Sequence, residues 1–310
     1  MKKMTFSEFK KIWDSIPVYE NGYLKIKWKH PLDLHIGYHT DNSKSFVLMN
    51  TGKIGDIPSS FAVSARNIKL TDGTWILEFR LLHESYEDIF LRLCWDMIDF
   101  TYESQQPLTD FIMRYKNWQK FLQYMKGDVM SFQRQKGLLG ELLYLKEILI
   151  SMDKEAAVEA WVGPEGSDQD FVFSDTWTEV KSVALSAESV SISSLQQLDQ
   201  EKDGILEVYF LEKTTPGQNR VALPEVVAQV RRLLRYQERL LDHFDMKLFK
   251  YGYREKDELE YKKNYFRLVE NRDYVVSSDF PKLTRKKVDI GIESCCYSIS
   301  LAVLEGHRKR

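Results

Sequence analysis

A chain of 310 residues, 43% hydrophobic and 29% charged, can bury one large core or two modest ones and has the composition of a globular protein. Its formal net charge of −2 argues against a protein that coats nucleic acid through phosphate contacts alone. No stretch approaches the roughly 20 apolar residues of a membrane span, the N-terminus lacks an apolar signal core, and three cysteines have neither disulfide-framework nor zinc spacing, so no membrane role and a reducing, cytoplasmic setting are expected.

In chain order, residues 5–15 have the apolar spacing of an amphipathic helix. Strand patterns follow near 23–28, 33–38, 44–50, 60–64 and 75–82, punctuated by turn chemistry at Asn21-Gly22, Thr51-Gly52 and Asp72-Gly73. Helical periodicity takes over at 84–100, 107–125 and 131–151. This predicts a β-rich N-terminal domain over 1–105, a helical connector over 106–125 and an α/β domain over 126–310. Beyond 190 the pattern predicts a helix opening at 192–198, a strand at 205–213, a loop at 215–219, a long helix at 223–243 and strands near 262–270 and 293–303. Cys295 and Cys296, on that last apolar run, are expected to be reduced core residues, like Cys94.

The chemistry concentrates between Asp170 and Lys181. Phe171–Phe173 and Trp177–Val183 read as two strands of a short hairpin around Ser174-Asp175-Thr176. Strand side chains alternate, so Glu179 and Lys181 share a face that Val180 avoids. An aspartate opening one strand then faces a carboxylate and an ammonium on the next. Two acidic oxygen donors converging beside a lysine suit Mg²⁺ and the water it activates, the equipment for phosphodiester hydrolysis. Asp168, two residues before Asp170, shares its strand face and is the alternative ligand. Upstream, Glu141 shares the apolar stripe of Leu138 and Leu145 on a helix, where an ionised carboxylate is costly unless paired or bound to a cation. A buried salt bridge is the competing role for Glu141.

The ordered set resembles the PD-(D/E)XK nuclease superfamily, to which restriction endonucleases belong. The elements that carry the resemblance are a helix with Glu141, a strand with Asp170, a strand with Glu179-x-Lys181, then Ser193-Ser194-Leu195-x-Gln197-Leu198. More narrowly it looks like a bacterial branch described as PD-(D/E)XK motif proteins and often encoded in restriction or phage-defence clusters. It is sharpest over 137–198. One departure stands out: Gln169, not proline, precedes Asp170. The resemblance implies a mixed sheet flanked by helices, α/β within an α+β whole. It further implies a metal-dependent DNA endonuclease using Mg²⁺ or Mn²⁺. Asp170 and Glu179, with the carbonyl of Val180, would be metal ligands, and Lys181 would position the attacking water. Glu141 would hold a second cation or orient the first, and Ser193, Ser194 and Gln197 would support Lys181 or touch a phosphate; an ordinary helix cap is the other role open to them. The implied partners are DNA, a homodimer for double-strand cutting, and methyltransferase, helicase or ATPase subunits of a defence system.

The alternative function is a non-cleaving DNA-binding or scaffold subunit with the same fold. Other chemistries find little support: there is no P-loop, no Gly-x-Gly-x-x-Gly and no Gly-x-Ser-x-Gly, and His30, His35 and His39 match no metal spacing. Basic clusters at Arg231/Arg232/Arg235/Arg239, at Lys282 with Arg285-Lys286-Lys287, and at 307–310 are either solvated faces or the phosphate grip.

Overall fold

A computed structural model describes residues 3–17, 22–39, 41–124 and 129–309. The chain separates into two compact units, Met1–Gly127 and Asp128–Arg310. No helix among the described residues is long and apolar enough to cross a membrane.

The first unit opens with α1 (Phe6–Asp14), started by a capping box in which the Thr5 hydroxyl accepts from Glu8 N–H and the Glu8 carboxylate accepts from Thr5 N–H. Strands β1 (Gly22–Lys25), β2 (Leu34–Tyr38), β3 (Lys44–Leu48), β4 (Val63–Lys69) and β5 (Trp75–Leu81) form an antiparallel sheet of order β1-β2-β3-β5-β4. Of the expected turns, Gly52 and Gly73 take the positive φ that turns ask of glycine, whereas Asn21 lies outside the described residues. β4 runs later than the 60–64 pattern predicts because it is an edge strand, and its outer half is too exposed to alternate. Helices α2 (Glu87–Thr101) and α3 (Pro107–Tyr124) complete the unit. The segment expected to serve as a connector is α3, and it is built into this core. Phe111 packs against Phe46 and Phe79, and Trp118 Nε1 donates to buried Asp96 at 2.7 Å.

The second unit comprises helices α4 (Phe132–Ser151) and α5 (Lys154–Ala160), then β6 (Phe171–Val172), β7 (Trp177–Val183), β8 (Ser189–Ile192), β9 (Gly204–Thr214) and β10 (Val221–Ala222). After these come α6 (Leu223–Leu234), α7 (Glu238–Tyr251), α8 (Glu258–Tyr261), β11 (Tyr265–Val276), β12 (Tyr297–Ser300) and α9 (Leu301–Leu304). The main sheet has the order β10-β11-β9-β7-β6, with β7 and β9 parallel and the other neighbours antiparallel. Alternation along β9 builds two cores. Tyr209 and Leu211 pack with the α4 and α6 leucines and valines, while Leu206, Val208 and Phe210 pack with Val190, Ile192 and Ile299 of the β8–β12 ribbon. The architecture is the expected mixed sheet flanked by helices beside a strand-rich N-terminal region.

Four expectations about elements change. The helix expected from 192 is instead the end of β8 followed by one turn, closed by Asp199 N–H to Leu195 O at 3.0 Å; Leu195 and Leu198 are buried as single contacts, and no helical stripe follows them. The long helix over 223–243 breaks at Arg235-Tyr236-Gln237, an exposed trio with no apolar side chain turned to the core, so α6 and α7 pack separately. β11 extends to Val276, and the run expected at 293–303 supplies only β12 before α9 begins. Cys295 is half-buried and Cys296 exposed, both ahead of β12, and only Cys94 is a core residue; all three are free thiols.

Candidate active site

The site forms where β7 has an open edge. β6 pairs with β7 only at Phe171↔Thr178 and Val172↔Trp177, so the strand beyond Thr178 has no neighbour on that side. The Val180 N–H, which a longer β6 would have engaged, donates instead to Asp170 Oδ2 at 2.8 Å. In a strand the N–H and C=O of one residue point the same way, so the Val180 carbonyl faces this edge as well. The side chain of Val180 turns the other way, into the α4 core.

Glu179 and Lys181 share the face the alternation predicts. Lys181 Nζ lies 2.8 Å from Glu179 Oε1. Glu179 is only 1% exposed, and its other oxygen, Oε2, is buried without a hydrogen-bond partner. An orphaned buried carboxylate oxygen is costly, and a cation is the partner that would relieve it. Lys181 Nζ also donates to Gln197 Oε1 at 3.2 Å, and the same oxygen accepts from Ser193 N–H at 2.7 Å. Gln197 thus fixes the lysine from the turn where a helix was expected. Ser193 contributes its backbone and exposes its side chain; Ser194 is half-buried with no hydrogen bond to the site.

Glu141 projects from α4 beside Asp170. Trp161 Nε1 donates to Glu141 Oε2 at 2.8 Å, and the Tyr251 hydroxyl of α7 hydrogen-bonds the same carboxyl. The segment after α5 locks this wall in place: the N–H groups of Val162 and Gly163 both donate to Asp170 O, at 2.9 and 3.0 Å. A Cβ on Gly163 would lie 3.0 Å from Asp170 Oδ1 and 3.3 Å from Glu141 Oε2, so only glycine lets the two carboxylates share this corner without crowding. From α7, one turn before Tyr251, the buried ammonium of Lys247 donates to Trp161 O at 2.6 Å and Glu159 O at 3.2 Å.

Burial dominates the electrostatics. It pushes the Glu179 carboxyl up to about 8, with the Asp170 charge adding to the rise and Lys181 only partly opposing it. Asp170 rises to about 6 for the same first reason, against the Val180 N–H and Lys181. Glu141 moves well above the usual carboxylate range through burial and then the Asp170 charge, despite its Trp161 and Tyr251 donors. Three carboxyls that resist ionisation together describe a site short of positive charge.

Among the described residues no three His, Cys, Asp or Glu side chains are gathered as a ready metal cage. The donor set nevertheless suits Mg²⁺, which binds through one or two carboxylates and takes waters and substrate phosphate for the rest. Asp170 and Glu179 could supply those two, the orphaned Glu179 Oε2 being a free donor. Asp168 is exposed in the bend before β6; of the two aspartates, Asp170 is the one that meets β7. Gln169 occupies the position where the resemblance anticipates proline. Its buried amide donates to Gln196 O at 2.7 Å and Gln197 O at 3.3 Å, tying the start of the hairpin to the turn that holds Lys181.

A family model described as "Putative PD-(D/E)XK family member, (DUF4420)" matches residues 9–302. The chain belongs to this family. No curated protein and no solved structure matches it. The match runs across both units, from residue 9 of the first to residue 302 of the second. Sequence reasoning missed Trp161, Gly163, Lys247 and Tyr251. Each lies on an element that reaches Glu141 only through tertiary packing, and a lone tryptophan or tyrosine carries no local signal of such a role.

Proposed function

We propose that the protein is a divalent-metal-dependent DNA endonuclease, Mg²⁺ or Mn²⁺ serving as its cofactor, that works in bacterial restriction or phage defence. The observation that carries this reading is the buried Glu179 carboxylate, with one oxygen held by Lys181 and the other orphaned beside Asp170. Asp170 and Glu179 would hold the ion, with the Val180 carbonyl turned to the same edge. When bound, the ion would lower the pKa of a water and polarise the scissile phosphate.

The remaining steps belong to the chain's own residues. Lys181, fixed between Glu179 and Gln197, places its Nζ protons where they orient the nucleophile and offset charge developing on the phosphate. Glu141, gripped by Trp161 and Tyr251 next to Asp170, would hold a second cation or orient the first. Gln197 gives the lysine a second acceptor beside Glu179 and so fixes the direction of its ammonium. A DNA substrate, a homodimer for double-strand cutting, and methyltransferase, helicase or ATPase partners complete the proposal. It is tested by nicking of supercoiled plasmid in Mg²⁺ or Mn²⁺, wild type beside Lys181→Ala. The expected result is metal-dependent cutting that the variant loses; equal cutting by both proteins would refute the assignment.

A further inference from the structure

The loop between β11 and β12 carries an exposed isoleucine on a built support. The Arg285 guanidinium donates to three carbonyls of the loop: Ile292 O at 2.6 Å, Ile290 O at 2.8 Å and Asp289 O at 3.1 Å. Gly291 N–H donates to Asp289 Oδ1 at 2.9 Å, closing the tip. On this frame Ile290 is 92% exposed, and Ile292 is partly exposed beside it. The loop carries Lys282, Arg285, Lys286 and Lys287 against Asp279, Asp289 and Glu293, four cations to three anions, with three of the cations consecutive at 285–287.

The loop is also anchored next to the catalytic lysine. Asp199 Oδ2 accepts from Arg285 N–H at 2.7 Å, and Asp199 lies two residues from Gln197, whose side chain holds Lys181. Two residues span at most about 7 Å. At its far end Cys296 Sγ donates to Ser193 O at 3.1 Å, on the residue whose N–H meets Gln197.

We propose that this loop grips duplex DNA next to the cleavage site, with Lys286 and Lys287 on the phosphates and Ile290 inserted as an apolar wedge at a base step. The proposal rests on the nuclease reading for its choice of ligand. Two adjacent isoleucines are too small an apolar surface for a protein interface, which needs on the order of 1,000 Å². A wedge needs a single rigid aliphatic side chain, and the surrounding cations supply the phosphate attraction.

The test uses wild-type protein without divalent cation and a duplex of about 30 base pairs containing 2-aminopurine, whose fluorescence rises on unstacking. Binding should raise the signal about two-fold. Ile290→Ala should abolish that rise and Ile290→Met retain it. Lys286→Ala with Lys287→Ala should flatten the slope of log affinity against log salt by about 2. The proposal is overturned if wild type does not bind the duplex. It is equally overturned if Ile290→Ala leaves the fluorescence rise intact, or if Ile290→Ala alters only the oligomeric mass. Plasmid cleavage is scored separately. Cutting with a wedge-independent signal removes the loop from the account and keeps the nuclease, whereas wedge-dependent binding without cutting in any metal does the reverse.

Discussion

In the metal-free protein the site carboxyls should make stability fall as pH rises. Glu179 titrates near 8 in the fold and near 4.5 in the unfolded chain. The unfolded state therefore releases that proton first, so the stability tied to neutral Glu179 is complete below 4.5 and lost as pH climbs through 8. At 1.36 kcal/mol per pH unit of separation this amounts to on the order of 5 kcal/mol. For a unit of this size that corresponds to a fall in Tm of roughly 10–20 °C. Scanning calorimetry in a chelator between pH 5 and 8 measures the effect, with Glu179→Gln as the control that cannot titrate. The variant should lose the share of the slope due to Glu179 and retain the shares due to Asp170, Glu141, Glu207 and Glu147, whose carboxyls burial also raises. Mg²⁺ should restore wild-type stability increasingly toward pH 8, where ionised carboxylates bind it best. Superimposable pH profiles for wild type and Glu179→Gln in chelator would refute the reasoning.

Four further outcomes follow from the geometry. Gly140→Ala places a Cβ 2.2 Å from Ser182 Oγ, which must turn to another rotamer, and at ordinary contact with Val180 Cγ1 at 3.4 Å; since alanine gains about 1 kcal/mol over glycine inside a helix, stability in a urea titration should stay within about 1 kcal/mol of wild type. Trp161→Phe keeps the ring but removes the donor to Glu141, and should cost about 1–3 kcal/mol while weakening Mg²⁺ binding by calorimetry. Lys247→Met leaves the carbonyls of Trp161 and Glu159 without their donor; hydrogen exchange should show faster opening of 161–165, with about 1–3 kcal/mol less protection. Gln197→Ala frees Lys181 Nζ and Ser193 N–H together, and should cut the cleavage rate by about 10-fold or more while leaving Tm within a few degrees; an unchanged rate would remove Gln197 from the site.

What the sequence alone determined is local. Period-2 alternation placed Glu179 and Lys181 on one face, the short turn at 174–176 set Asp170 across from them, and the apolar stripe of α4 put Glu141 inward beside Leu138 and Leu145. These rest on side-chain direction within one strand or one helix, which the backbone geometry dictates. Tertiary structure decided the rest. Ser193–Asp199 makes a single turn, closed by the Leu198 and Asp199 N–H groups on Leu195 O with Leu198 in the core beneath the β8–β12 ribbon, and the turn is what brings Gln197 to Lys181. That Asp170 and not Asp168 meets β7 depends on β6 beginning only at Phe171, which leaves the Val180 N–H to the Asp170 carboxylate. Trp161 and Tyr251 converge on Glu141 from 20 and 110 residues away along the chain, and Lys247 holds the Trp161 backbone in place. No local pattern encodes such contacts, because burial and packing between distant segments create them and no periodicity within one segment does.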